Sequence, residues 1–231
     1  PYHWNDEPFD AIVSNPPYST KWVGSDNPTL INDPRFAPAG VLAPKSKSDL
    51  AFTMHMLAWL STAGTAAIVE FPGVLYRGGA EQKIRKYLID NNYVDTVIQL
   101  PANLFFGVSI ATCVIVLKKS KFENKTLFID ASQLFVHEGN KNKLSPENID
   151  AIVAEYAEHK QVKHFSALVD NKVVAENGYN LSVSSYVEAE DTRPQTDIRE
   201  LNERIRRIVA HENELRADID AIIAELEAET L

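Results

Sequence analysis

Short apolar runs alternate along the chain with segments of helical periodicity, and this alternation restricts the fold more than any other feature. Runs rich in β-branched residues and bounded by turn residues predict strands over 9–13, 65–71, 94–100 and 111–117, with 127–129 as a further candidate. Helices are predicted from Ser48 or Asp49 to a closing Gly64, over 80–90, and over 146–159 after Ser145. Strands that alternate with helices predict an α/β sheet with its site at the strand carboxyl ends.

Length and composition indicate one domain with an appendage. The chain has 231 residues, of which 45% are apolar, enough for a real core. Its single cysteine, Cys113, excludes an internal disulfide, and no apolar run approaches the roughly 18 residues of a membrane span. The chain begins at Pro1 without the charged and apolar regions of a secretion signal. We therefore expect a cytoplasmic protein and a piece of a longer chain.

The net charge of −9 argues against a protein that binds nucleic acid through bulk electrostatics. The objection is partial, because residues 197–231 carry ten acidic residues and five arginines. The rest of the chain is closer to balance and has basic runs at 83–86 and 118–121. Such runs are more often solvated faces than DNA contacts, so they leave DNA binding open.

The tetrapeptide Asn15-Pro16-Pro17-Tyr18 follows the first predicted strand directly. It is compatible with an ordinary turn, since Asn and Pro are common there. It also resembles motif IV of methyltransferases that act on amino groups. In such a motif the Asn15 oxygen and the Pro16 carbonyl would accept hydrogen bonds from both N–H groups of an exocyclic amine, freeing its lone pair for a methyl sulfonium. Tyr18 would stack on a flipped base, while Pro16 and Pro17 stiffen the loop.

Two further segments resemble motifs of the same enzymes. Asp49-Leu50-Ala51-Phe52 is similar to motif V, which implies that Asp49, Leu50 and Phe52 bind S-adenosylmethionine, an apolar side chain lying against its adenine. A capped amphipathic helix that buries Leu50 and Phe52 explains the same segment equally well. The segment from Leu100 to Gly107 resembles motif VIII, in which Phe105 or Phe106 holds the flipped base. At least one of these adjacent aromatics should point outward.

The wider pattern resembles the modification subunit of type I restriction-modification systems. The segments that carry it are 71–81 with 83–85, 100–106, 129–132 and 178–182, and all the motifs together span about residues 9–187. The resemblance implies a Rossmann-like methyltransferase fold that uses S-adenosylmethionine and needs no metal. It also implies adenine N6 in DNA as the acceptor, a separate specificity subunit that reads the sequence, and a restriction subunit in the full complex.

One departure from this family is important. The glycine-rich motif I, which precedes the Asn-Pro-Pro-Tyr strand and cradles the methionine part of the cofactor, does not occur in these 231 residues. Only half of a cofactor site is present, so we expect this chain to be inactive by itself. We assign residues 1–190 to a partial catalytic domain and 191–231 to a coiled-coil-like helix for subunit assembly.

The last segment changes to a continuous helical pattern with alternating four-three spacing. All of its eight seam positions except Glu212 are apolar. The eight are Leu201, Ile205, Ile208, Glu212, Leu215, Ile219, Ile222 and Leu226. No Gly or Pro interrupts the pattern after Pro194, which predicts a single helix of about 33 residues. The family resemblance implies that it packs against the specificity subunit; an amphipathic helix folded onto its own sheet is the alternative.

Other classes of protein fit less well. A cytosine-C5 methyltransferase needs a nucleophilic cysteine in a Pro-Cys loop, whereas Cys113 lies in an apolar strand. The six histidines show no metal-ligand spacing. A protein glutamine methyltransferase would use the same Asn-Pro-Pro-Tyr chemistry, but it leaves the segment from Leu100 and the last helix unexplained. A catalytically silent assembly module stays open for this chain alone.

Overall fold

The computed structural model describes residues 7–107, 109–190 and 197–229, and the chain divides into two compact units between Ala189 and Glu190. The described strands of the first unit are β1 (Phe9–Ser14), β2 (Leu60–Glu70), β3 (Val94–Gln99), β4 (Cys113–Lys118), β5 (Lys125–Asp130), β6 (Val136–Glu138), β7 (Lys141–Lys143) and β8 (Ser166–Asp170). Its α-helices are α1 (Asp49–Trp59), α2 (Ala80–Asp90), α3 (Pro146–Glu158) and α4 (Asn171–Glu176).

Six strands form one mixed sheet in the order β1-β2-β4-β3-β5-β8. β1 and β2 are parallel, as are β3 and β5, while β4 runs antiparallel to both β2 and β3. Strands β1, β2, β3 and β5 therefore point the same way, and their carboxyl ends share one edge of the sheet. The predicted α/β fold is confirmed, and this shared edge is where such folds place their sites.

The prediction that the first helix closes at Gly64 is wrong. Helix α1 ends at Trp59, and Gly64 lies inside β2, next to a register shift against β1. A Cβ atom on Gly64 would lie only 2.9 Å from the Phe9 carbonyl oxygen. The glycine therefore allows two backbones to approach closely at a strand irregularity, a role that the sequence does not distinguish from a helix end.

Other predicted elements agree with the structure to within a few residues, and α3 shows why. Its N-cap Ser145 accepts a hydrogen bond from Asn148 N, and the Asn148 side chain accepts one from Ser145 N, which completes a capping box. The hairpin β6–β7, strand β8 and helix α4 were not predicted. Strand β8 and helix α4 depend on contacts distant in sequence: Asn171 accepts from Thr126 Oγ1 at 2.8 Å and donates to Asn124 Oδ1 at 2.9 Å.

The long segment 19–47 packs against α1. It contains two short 3-10 helices, Gly24–Asp26 and Pro28–Asn32. Trp22 Nε1 donates to the Pro44 carbonyl at 3.0 Å, and Phe36 stacks on His55 of α1 with ring centroids 5.5 Å apart. This segment connects the Asn-Pro-Pro-Tyr loop to α1, so the position of one is coupled to the position of the other.

The second unit contains the predicted long helix, α5 (Ile198–Glu229), which has 32 residues and a length of about 48 Å at 1.5 Å per residue. Its apolar seam is exposed, with Ile208 at 59% and Ile219 at 56%. Thr196, which precedes this helix, and the last two residues of the chain lie outside the described residues. Among the helices that the structure describes, none has the length and apolarity needed to cross a membrane.

Candidate active site

The Asn-Pro-Pro-Tyr loop leaves the carboxyl end of β1, the mostly exposed edge strand of the sheet. Asn15 is exposed, Pro16 is buried and Tyr18 is half-buried. The Tyr18 hydroxyl donates to Asn15 Oδ1 at 2.9 Å. Burial raises the pKa of Tyr18, and the nearby Glu70 and Cys113 raise it further, so the hydroxyl stays a neutral donor at physiological pH. The hydrogen bond from Tyr18 thus restrains the orientation of the Asn15 side-chain amide, which remains exposed.

A cavity of about 410 Å³ adjoins this loop on one face of the sheet. It is lined by Val13, Ser14, Asn15, Ala67, Val69 and Val114. None of these six side chains is charged, and Val13 is 86% exposed. An uncharged cavity beside an exposed amide suits a flat, mostly apolar ring with a polar edge, such as a purine.

Two carboxyl groups lie under the loop on the opposite, covered side. Asp49 of α1 is 1% exposed, and its Oδ1 accepts from Ser19 N at 2.8 Å. Glu70, the last residue of β2, is fully buried, and its Oε1 accepts from Thr53 Oγ1 at 2.8 Å. Burial raises the pKa of Glu70 to about 8, with a further contribution from the negative charge of Asp49. Glu70 is therefore mostly neutral at pH 7.

Sequence reasoning missed Glu70 although a signal for it existed. Along β2, Ala66, Ile68 and Glu70 are buried, while the intervening Ala67 and Val69 are half-buried. The alternation places the glutamate on the inward face, where an unpaired carboxyl group is costly. A charged residue at an inward position of an apolar strand is therefore worth examining as a site residue.

The predicted base-binding loop leaves the carboxyl end of β3, on the same edge of the sheet. Its two ends are joined by Leu100 N, which donates to the Thr112 carbonyl at 2.9 Å. Phe106 is 99% exposed, whereas Phe105 packs partly against the core, so one aromatic points outward as expected. Residue 108 lies outside the described residues. Three strand spacings separate β3 from β1, about 14 Å at 4.8 Å each.

The unpredicted hairpin β6–β7 supports this aromatic loop. Asn142 donates through Nδ2 to the Ala102 carbonyl at 2.9 Å and through its backbone N to the Asn103 carbonyl at 3.1 Å. Lys141 Nζ donates to the Phe105 carbonyl at 3.2 Å. Three hydrogen bonds from one hairpin limit the movement of the loop that carries Phe106.

The residues predicted to bind the cofactor lie at the start of α1. Leu50 is buried in the main core, and Asp49 is almost fully buried with its Oδ1 engaged by the backbone of Ser19. Phe52 is half-buried and packs against that core. Of these three side chains, Phe52 retains the most accessible surface for a ligand.

Cys113 and Arg85 of the basic run 83–86, which could have indicated other functions, have buried side chains that contribute to the fold. Cys113 is fully buried; burial raises the pKa of its thiol and the adjacent Glu70 raises it further, so it is unsuited to nucleophilic attack. In the basic run 83–86, Arg85 is buried and donates to the Tyr179 carbonyl at 2.7 Å and the Val74 carbonyl at 2.9 Å. No group of three or more His, Cys, Asp or Glu side chains within residues 7–107, 109–190 and 197–229 is arranged to hold a metal ion.

Solved structures similar to this one include methyltransferase subunits of type I restriction-modification systems. The structure matches the type I restriction-modification system methyltransferase subunit from Streptococcus thermophilus with a TM-score of 0.76 and 43% identity, covering 79% of this chain and 39% of that one. The sequence matches the family model for N-6 DNA Methylase over residues 1–195. The chain belongs to the N-6 DNA methylase family.

Curated relatives extend the similarity over nearly the whole chain. The type I restriction enzyme MpnII methylase subunit of Mycoplasma pneumoniae is 47% identical over 226 residues, which is 97% of this chain and 42% of the relative. The MjaVII methylase subunit of Methanocaldococcus jannaschii is 32% identical over 237 residues, 98% of this chain and 40% of the relative. The chain thus spans well under half the length of these relatives.

Proposed function

We propose that the intact protein methylates adenine N6 in duplex DNA at specific sites, as the modification subunit of a type I restriction-modification complex. The observation that carries this proposal is the exposed Asn15 amide at the carboxyl end of β1, beside an uncharged cavity. Membership of the N-6 DNA methylase family supports it.

The task of the loop is to make a poor nucleophile reactive. The lone pair of an adenine amine is delocalised into the ring, so the nitrogen attacks only when its two N–H groups are drawn out of the ring plane. Asn15 Oδ1 and the Pro16 carbonyl are the two acceptors. Asn15 Oδ1 already accepts from the Tyr18 hydroxyl, and a carbonyl oxygen has two lone pairs, so one remains for the amine. Asn15 Oδ1 is held by this bond before the base arrives, and an acceptor positioned in advance favours the transition state.

Two aromatic side chains would hold the flipped base. Tyr18 is half-buried next to Asn15, and its ring would stack on the adenine while its hydroxyl keeps the amide oriented. Phe106 is the outward-facing member of the other aromatic pair, so we assign it the second contact and Phe105 a supporting role. No covalent bond to the protein is required.

S-adenosylmethionine is the methyl donor implied by the family, and the described residues fit part of it. The cavity next to Asn15 is uncharged and accepts an apolar or aromatic group. Phe52 is the candidate among the residues at the start of α1 for contact with the adenine of the donor, because Asp49 and Leu50 are buried. When bound, the donor supplies an electrophilic methyl group.

The partners follow from the same proposal. DNA is the substrate, a specificity subunit would bind through α5, and a restriction subunit would complete the full complex. The exposed apolar seam of α5 supports a helical partner, whereas the ten acidic residues of segment 197–231 would repel DNA. A cytoplasmic location follows from the DNA substrate.

A protein glutamine methyltransferase would transfer the methyl group to a glutamine side chain instead of to DNA, so the methyl acceptor distinguishes the two functions. We expect tritium from labelled S-adenosylmethionine to enter unmethylated plasmid DNA when the intact protein is assembled with its specificity subunit. Peptides that present glutamine should stay unlabelled in the same assay. Label in the peptides and none in the DNA would contradict the proposal, because an amide nitrogen presents the same lone-pair problem to Asn15.

The 231-residue chain alone should bind S-adenosylmethionine weakly, because the glycine-rich motif of the family is not among its residues. Calorimetry with the isolated chain is expected to give a dissociation constant well above that of the intact protein. A micromolar constant for the isolated chain would contradict this expectation. The result also decides whether this chain by itself is a silent assembly module.

A further inference from the structure

The backbone directly after Tyr18 is held by a buried acid from α1. Ser19 N donates to Asp49 Oδ1 at 2.8 Å, and the next residue, Thr20, accepts through its carbonyl from Ser48 N at 2.9 Å. Ser19 has a φ of 50°, a conformation that residues other than glycine rarely adopt without support. The exit of the Asn-Pro-Pro-Tyr loop is thus fixed to the start of α1 at two successive residues.

A second buried acid is attached to the same helix. Thr53, one turn after Asp49, donates through Oγ1 to Glu70 Oε1 at 2.8 Å. In the part of the chain that the structure describes, Asp49 Oδ2 and Glu70 Oε2 are buried without a hydrogen-bond partner. Buried carboxyl oxygens are usually satisfied, because leaving one unpaired destabilises the fold. The two acids are therefore buried at a cost to stability, and both are bonded to elements that hold this loop.

The electrostatics keep Glu70 mostly neutral at pH 7. Burial, together with the negative charge of Asp49, raises the pKa of Glu70 to about 8. A neutral Glu70 adds no negative charge beside Asp49 while Asp49 accepts the hydrogen bond from Ser19 N.

We propose that Asp49 and Glu70 act as a pair of positioning residues that fix the loop carrying Asn15 and Tyr18 for methyl transfer. Neither side chain is exposed, so neither touches the base or the donor. Asp49 acts through Ser19, and Glu70 acts through Thr53 and through its own charge state next to Asp49. This proposal rests on the proposed function, because it takes the loop as the holder of the acceptor amine. It gives Asp49 a role in the loop in place of a contact with the cofactor.

Substitutions at Asp49 test the anchor in the intact protein with its specificity subunit. Asp49→Ala removes the acceptor for Ser19 N, and we expect kcat to fall at least ~10-fold because small misplacements of reacting groups are costly. Asp49→Asn keeps an acceptor oxygen and should recover most of that loss. KM for S-adenosylmethionine should change little. A rise of this KM with kcat unchanged would overturn the proposal and make Asp49 a cofactor ligand.

Glu155→Ala is the matched control for loss of a buried acid. Glu155 is 6% exposed and accepts from Ser166 Oγ at 2.6 Å, on elements that do not contribute to the loop. The Glu155→Ala substitution should lower the melting temperature and leave kcat within ~2-fold of the native value. If Asp49→Ala lowers kcat no more than Glu155→Ala does, Asp49 is merely structural and the proposal fails.

The dependence of kcat on pH tests the role of Glu70. The charged and titratable groups around Glu70 determine which change in charge this dependence reports. Glu70 faces Asp49 on α1, Glu81 on α2, Cys113 on β4 and Tyr18 on the loop. Glu81 is paired with Arg77 at 3.4 Å. The pKa values of Cys113 and Tyr18 are raised, so both stay neutral between pH 7 and 9. Among these groups, Glu70 is the one expected to change its charge in this window.

We expect kcat of the native protein to fall as pH rises through about 8, since an ionised Glu70 repels Asp49 and loosens the loop. Glu70→Gln stays neutral and should abolish this alkaline fall, while Glu155→Gln should retain it. An unchanged alkaline fall in Glu70→Gln would overturn the role given to Glu70.

Amide hydrogen exchange distinguishes failure of this proposal from failure of the proposed function. The peptide that covers Tyr18, Ser19 and Thr20 should exchange at least ~10-fold faster in Asp49→Ala than in the native protein. This readout does not depend on the acceptor. Fast exchange in an enzyme that methylates another substrate would contradict the proposed function and keep the anchor, whereas unchanged exchange would overturn the anchor in an enzyme that methylates adenine.

Discussion

Replacing Asn15 with alanine in the intact protein is expected to lower kcat for adenine methylation by ~100-fold or more. The substitution removes one of two preorganised acceptors, and the loss of a single such group typically has an effect of this size. Because the acceptor matters most in the transition state, KM for DNA should change much less than kcat. Steady-state methylation of DNA by the protein with its specificity subunit measures both constants.

Two control variants make this result interpretable. Asn140 is exposed in the turn between β6 and β7, and Asn140→Ala should retain near-normal activity. Tyr18→Phe removes the hydroxyl that donates to Asn15 Oδ1 but keeps the ring, so its loss should be much smaller than that of Asn15→Ala. Equal losses in the two variants would mean that Asn15 acts by holding Tyr18, and near-normal activity of Asn15→Ala would contradict the assignment.

Deleting residues 197–231 is expected to abolish co-purification with the specificity subunit while the first unit keeps its fold. The described apolar side chains of α5 are exposed, including Ile205 at 49% and Leu215 at 50%, and a helical partner would bury them. Circular dichroism should lose only the helical signal of the deleted segment. Unchanged co-purification after the deletion would show that another surface binds the partner.

A pair of charge substitutions separates the seam of α5 from its outer face. Ile208→Glu with Ile219→Glu introduces two charges at seam positions and should weaken assembly at least ~10-fold. Ala210→Glu with Ala217→Glu adds the same charge on the opposite face and should leave assembly unchanged. Equal effects of the two pairs would point to overall charge rather than the seam.

The part of the site that could be predicted is contiguous in sequence. Asn15 to Tyr18 form one tetrapeptide after a strand, and local residue types suffice to suggest its chemistry. Asp49 and Glu70 were harder, because the hydrogen bonds from Ser19 and Thr53 span 30 and 17 residues. Spacing does not reveal which buried acid meets which backbone amide, and the packing of segment 19–47 on α1 determines it.

The fold shows the same limit. Helix α3 was predictable because Ser145 and Asn148 form its cap locally. Strand β8 and helix α4 have five and six residues, too few for local propensity to decide. They are held by β5 and by the hydrogen bonds of Asn171 to Thr126 and Asn124. The end of α1 was predicted wrongly because a glycine after a helical pattern is compatible with both a helix end and a close approach of two backbones.

Identifying the methylated nucleoside tests the central claim most directly. Unmethylated duplex DNA would be incubated with S-adenosylmethionine and the intact protein assembled with its specificity subunit, then digested to nucleosides for mass spectrometry. We predict N6-methyladenine as the product, and its near absence when Asn15→Ala replaces the native chain. Methylated cytosine as the product, or DNA that stays unmethylated while the native complex methylates protein, would contradict the claim.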